Sequence, residues 1–121
     1  MTRFRTAALA ATISAIALGA AEAHPKLKTA TPAVGATVQG APSEIRITFT
    51  EDLFARFSGA KVTDARGRAV RTGAAFVASD DKKQLVVPLK AKLVPGSYQV
   101  AWHAVSADTH RVHGSYTFLV N

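Results

Sequence analysis

Ile45-Arg46-Ile47-Thr48-Phe49-Thr50 alternates apolar and polar side chains without a break. A period of two puts Ile45, Ile47 and Phe49 on one face of an extended strand and Arg46, Thr48 and Thr50 on the other, the pattern of a strand with one side on a core and one toward water. Outward from this segment the same period returns. It holds in part over Gln84 to Leu89, which turns Leu85, Val87 and Leu89 inward; Tyr98, Val100, Trp102 and Ala104 share a second face, and Tyr116, Phe118 and Val120 a third. Leu27–Thr31, Ala60–Asp64 and Ala74–Val77 are shorter candidates. Turn formers separate the runs: Pro32 to Gly35, Gly40 to Ser43, Ala65-Arg66-Gly67, Ser79-Asp80-Asp81 and Pro95-Gly96-Ser97. No stretch after residue 24 sustains a 3.6 period, and Glu51 to Phe57 has room for one short turn of helix between strands. About seven short strands therefore predict an all-β Greek-key sandwich or barrel, immunoglobulin-like (cupredoxin-like) in character, without the cysteine pair of antibody domains. No internal repeat, linker or low-complexity segment interrupts it.

The residues ahead of this domain read differently. Arg3 and Arg5 form a basic start, Ala7 to Gly19 is a nearly unbroken small and apolar run, and Ala21-Glu22-Ala23 gives the small-x-small pattern of a signal-peptidase site. The run is shorter than the roughly 20 residues that span a bilayer, and no basic stop-transfer flank follows, which disfavours a membrane anchor. Residues 1–23 are thus expected to be a signal peptide and residues 24–121 one exported domain with His24 at its start. Processing removes Arg3, Arg5 and Glu22, so the net charge of +7 falls by one. The remaining lysines and arginines are scattered along the chain, which favours a solvated basic surface over nucleic-acid binding.

Composition also limits the chemistry. The chain has no cysteine, and its one methionine, Met1, leaves with the signal peptide. No disulfide stabilises the domain, and any metal site must use nitrogen and oxygen donors. A histidine at a free N-terminus is itself a chelating unit, because its α-amine and ring Nδ1 close a six-membered ring on one ion. The amine's ordinary pKa, roughly 8, lets a strongly bound metal displace its proton near neutrality. Later, Asp108-Thr109-His110 follows the strand that ends near Val105. In an extended segment positions i and i+2 project to one side, so Asp108 and His110 would point together while Thr109 points away. With His24 they supply amine, two imidazoles and a carboxylate, a borderline-hard set that suits tetragonal copper(II) better than calcium, magnesium or copper(I), and zinc less well than copper. Either half alone is a weak signal; together, in a small exported domain without sulfur, they point to metal binding.

These segments resemble the CopC family of periplasmic copper proteins. The matching residues are His24-Pro25-Lys26-Leu27, Thr31-Pro32-Ala33 with Gly35, Phe49-Thr50-Glu51-Asp52-Leu53, Phe57-Ser58-Gly59-Ala60-Lys61, Pro95-Gly96-Ser97-Tyr98, Trp102 through His110, and Gly114-Ser115-Tyr116-Thr117-Phe118. They cover essentially the whole domain, and the start and the Trp102–His110 segment are the specific parts. The resemblance implies one Cu(2+) per mature chain, with His24, Asp108 and His110 as ligands. It puts Glu51 beside the site as a second-shell group, for which a solvated carboxylate at a strand end is the plain alternative. Some members hold copper(I) in a methionine-rich loop that would fall between about Val62 and Ala78; no methionine stands there, which fits the copper(II)-only branch.

His113 reads as a second-shell donor, a weak extra metal contact or a solvent-facing residue at a strand start. His103 alternates away from Trp102 and so faces solvent, while Trp102 belongs to the core. The function expected is that of a monomeric copper(II) carrier or buffer in copper resistance or uptake, not an enzyme. The resemblance adds an inner-membrane partner, a copper transporter of the CopD type. The alternatives are a copper-dependent oxidative enzyme with a histidine-brace-like site, whose open position Asp108 would fill, and an adhesion module with no metal.

Overall fold

The computed structural model describes residues 25–121; the expected signal peptide and His24 lie outside the described residues. Eight strands follow one another: β1 (Leu27–Thr31), β2 (Thr37–Val38), β3 (Glu44–Phe49), β4 (Gly59–Asp64), β5 (Phe76–Ala78), β6 (Asp81–Pro88), β7 (Gly96–Val105) and β8 (Arg111–Val120). One 3₁₀ turn, Ala55–Phe57, lies between β3 and β4. Two four-stranded sheets result, ordered β1-β3-β6-β5 and β2-β8-β7-β4. Only β5–β6 and β7–β8 are neighbours in both chain and sheet; the other connections carry the chain across to the opposite sheet, which interlocks the two layers as in a Greek-key sandwich.

The alternation read in the sequence fixes the inner faces. Ile45, Ile47 and Phe49 are fully buried while the residues between them are half-exposed. Leu85 and Val87 meet them from β6, and Val100 and Phe118 from the opposite sheet. Leu89 is only half-buried, packed against the edge of this core. Val86, on the other face of β6, is also fully buried: it stands at the same register position as Arg46 on one side and Phe76 on the other, and both carry long side chains.

Two details differ from the sequence reading. β2 adds an eighth strand; its two residues, paired in parallel with Leu119 and Val120, are too few for any period to be visible. The strand expected over Ala74–Val77 sits at Phe76–Ala78, and Thr72 instead makes an isolated bridge to Leu89.

The long β7–β8 hairpin positions the functional end of the molecule. Its two strands pair without slippage from Gly96↔Val120 to Val105↔Arg111. Trp102 turns inward and meets Phe49 of the opposite sheet edge-to-face, ring centroids 5.1 Å apart. Gly114 stands directly opposite Trp102, and a Cβ there would lie 2.5 Å from the indole Cζ2, so only glycine leaves the indole its place. With the hairpin clamped to the core in this way, its tip, Ser106 to His110, projects from a rigid base.

Candidate metal centre

The tip is a tight turn. Thr109 N–H donates to the Ser106 carbonyl at 2.8 Å and Ser106 N–H to the His110 carbonyl at 2.9 Å. Thr109 adopts φ +73°, a left-handed conformation that is uncommon for any side-chain-bearing residue and more so for a β-branched one. Its hydroxyl donates to the Asp108 carbonyl at 2.6 Å. The segment is therefore not the extended one assumed from the sequence, yet Asp108 and His110 still converge: His110 Nδ1 lies 3.1 Å from Asp108 Oδ1. It is the turn, not strand alternation, that brings them together.

Ser106 organises this turn. It is 2% exposed, while the Asp108 and His110 side chains are about half-exposed at 49% and 44%. Its hydroxyl donates a short hydrogen bond to Asp108 Oδ1 and accepts the His110 backbone N–H at 3.2 Å, so a single buried oxygen fixes both residues. The hydrogen bond from Ser106, and after it that from His110, holds the Asp108 carboxyl below its ordinary pKa. Asp108 is thus kept in the ionised form a cation needs. Sequence reading passed over Ser106; its only signal was a small hydroxyl residue two positions before an aspartate, the composition of a side-chain-stabilised turn.

The turn is braced by the segment after β3. Ala107 N–H donates to the Asp52 carbonyl at 2.9 Å, Phe54 N–H to the Val105 carbonyl at 2.8 Å, and Leu53 N–H to the Lys82 carbonyl at 2.9 Å. Leu53 also bridges Ser106. These bonds bring half-buried Glu51 into one open cleft of about 350 Å³ with Asp52, Lys83, Ser106, Ala107 and Asp108. Glu51 thus lines the same cleft as Asp108. His113 does not: it lies on the outer face of β8, exposed, in a different cleft shared with His103. His103 is exposed as well, as its alternation with Trp102 predicted.

Among the described residues no three His, Cys, Asp or Glu side chains gather into one metal-sized group. Asp108 and His110 form a pair, and the third expected ligand, His24, lies outside the described residues. At 3.1 Å the two atoms stand at hydrogen-bond distance; with metal–ligand bonds near 2.0–2.1 Å two donors at right angles would stand roughly 2.9 Å apart, so an ion that displaced the shared proton could be held with little movement of either side chain.

The profile of the CopC domain matches residues 27–121. Protein YobA of Escherichia coli K12 is 44% identical over 98 residues, covering 81% of this chain and 79% of that protein. Copper resistance protein C of Pseudomonas syringae pv. tomato is 40% identical over 105 residues, 83% of this chain and 82% of that protein. Among solved structures, PcoC, described as a methionine-rich copper resistance protein from Escherichia coli, superposes with a TM-score of 0.73 at 38% identity, over 82% of this chain and all of that one. This chain differs from PcoC in composition, since Met1 is its only methionine. With a family match over nearly all of the described residues and relatives at this identity, the chain belongs to the CopC domain family, which includes copper resistance proteins.

Proposed function

We propose that the protein is a periplasmic copper(II) carrier or buffer that binds one ion through His24, Asp108 and His110 and performs no catalysis of its own. The observation that carries this reading is the pre-formed pair at the hairpin tip: a carboxylate and an imidazole 3.1 Å apart, with the Asp108 carboxylate and the His110 backbone both bonded to buried Ser106. Paying the ordering cost before the ion arrives favours tight binding. Carboxylate and imidazole, with no sulfur in the domain, suit copper(II) over copper(I).

The start of the domain supports the third ligand. Pro25 is fully buried, Thr50 N–H donates to the Lys26 carbonyl at 2.9 Å, and Lys26 N–H donates to Thr50 Oγ1 at 3.0 Å. Thr50 precedes Glu51, which shares the cleft with Asp108. In the proposed site His24 would reach that cleft from Lys26 across two residues of chain, at most about 7 Å. Cleavage after Ala23 would make its amine a donor too. The signal-like residues 1–23 support export, and a periplasmic location and delivery to an inner-membrane transporter of the CopD type are what the family suggests.

Copper(II) titration of the mature protein, read by competition with a chelator, tests the reading. Asp108→Ala and His110→Ala are each expected to weaken binding by well over about tenfold, at least ~1.4 kcal/mol, with the β-sheet circular dichroism retained. Unchanged affinity in both variants would dismiss the hairpin tip as the site. Turnover of peroxide that survives Asp108→Asn would replace the carrier with an oxidative enzyme.

A further inference from the structure

Three of the chain's four histidines fall within residues 103–113, and two of them, His103 and His113, line a cleft that Asp108 and His110 do not. His103 and His113 are direct cross-strand partners in the β7–β8 ladder. Both are exposed and both point to the outer face of the sheet, since their neighbours Trp102, Ala104, Val112 and Gly114 turn inward. Directly opposed residues of an antiparallel pair hold their Cβ atoms about 4.5–5.5 Å apart. Two imidazoles on such a pair can reach one ion, and they line a common cleft of about 280 Å³ with Phe57, Arg111 and Val112. Elsewhere on this outer face the opposed positions carry no metal-ligating pair: Ala101 meets Ser115 and Gln99 meets Thr117.

We propose that His103 and His113 form a second, weaker transition-metal site on the outer face of the β7–β8 hairpin, in which two neutral imidazoles and water hold copper(II). Nitrogen-only donation excludes calcium and magnesium, and the affinity order of first-row dications puts copper(II) above nickel(II) and zinc(II). The site is weaker than the tip for three reasons. It has two protein ligands and no carboxylate. The Arg111 charge lines the same cleft. The His103 ring also leans over Gly59 on β4, its Cε1 and Nε2 3.0 and 3.4 Å from where a Cβ would stand, so it must swing about χ1 to meet His113. An exposed side chain makes that swing readily. The site stands independently of Asp108 and His110, neither of which lines its cleft.

The test uses the mature chain and copper(II) alone, with bound equivalents counted by electron paramagnetic resonance and the imidazole proton resonances followed by NMR. Copper(II) beyond the first equivalent is expected to broaden the His103 and His113 ring signals together in the native protein, and copper(II) should broaden the same two signals in the Asp108→Ala/His110→Ala variant without a tight first equivalent being filled beforehand. His103→Ala and His113→Ala, both solvent-facing, should each weaken the additional equivalent by more than about tenfold and leave the first in place. Broadening of one ring without the other, no broadening of either, or an additional equivalent indifferent to both substitutions would overturn the site.

Discussion

Ser106 does with one hydroxyl what a pair of separate side chains would otherwise do: it gives its hydrogen to the Asp108 carboxylate and takes one from the His110 amide. Groups that orient metal ligands without touching the metal are worth roughly 10–100-fold in affinity. Ser106→Ala is therefore expected to lower copper(II) affinity by about 10–100-fold while Asp108 and His110 both remain, measured by chelator competition on the folded variant. An unchanged affinity would mean that the turn holds its shape without the hydroxyl. At this scale the sequence was legible where chemistry is carried by type: a carboxylate and an imidazole two positions apart attract notice anywhere. Ser106 and the left-handed Thr109 were not, because a buried hydroxyl and a positive φ are products of the folded turn. The convergence of Asp108 and His110 was anticipated for a reason, strand alternation, that the turn replaces.

Among the elements, the β7–β8 hairpin depends on a contact between its largest residue and its smallest. Alanine would ordinarily gain a few tenths of a kcal/mol or more over glycine within a strand, about 0.5–1, but at position 114 the new Cβ would enter the Trp102 ring. The clash prevails. Gly114→Ala is expected to destabilise the domain by about 1–3 kcal/mol, the range for overpacked cores, in urea unfolding followed by circular dichroism. Trp102→Phe in the same chain should restore part of that loss by shortening the ring, and no recovery would place the strain in the backbone instead. The strands themselves were readable because one face of each is buried: β3 and β8 carry a strict period of two, and β7 keeps it from Tyr98 to Ala104. β2 escaped notice because backbone bonds hold it, Leu119 N–H to the Ala36 carbonyl and Asn121 N–H to the Val38 carbonyl, and backbone bonds leave no trace in side-chain pattern.

For the whole molecule, one proteolytic cut is expected to complete the proposed centre. A chain that starts Met-His24 keeps the imidazole and moves the free amine one residue away, which breaks the six-membered chelate. Pro25 has no N–H to offer as a substitute ligand, and the third position is Lys26 rather than histidine. Copper(II) affinity of the Met-extended chain is expected to fall by more than about tenfold against the correctly processed one at the same pH; equal affinities would show that the amine is not a ligand. The sequence offers both parts of this proposal, the signal-like start and the Asp-x-His tip. What it did not reveal is the pairing of β1 with β3, which bonds Lys26 to Thr50, the neighbour of Glu51 in the cleft that Asp108 lines.

The half-exposure of Asp108 and His110, set against the burial of Ser106 beneath them, carries a kinetic meaning for the proposed carrier. An ion held in a sealed cavity must wait for spontaneous dissociation, and its release slows as its affinity rises. An ion held at an open rim can be approached by the donors of an acceptor while the original ligands still grip it. Exchange then becomes associative, through a shared intermediate, and its rate grows with the concentration of the acceptor. Strong retention in solution and quick surrender on encounter cease to be in conflict, and the stiff framework below allows the emptied rim to recharge without refolding.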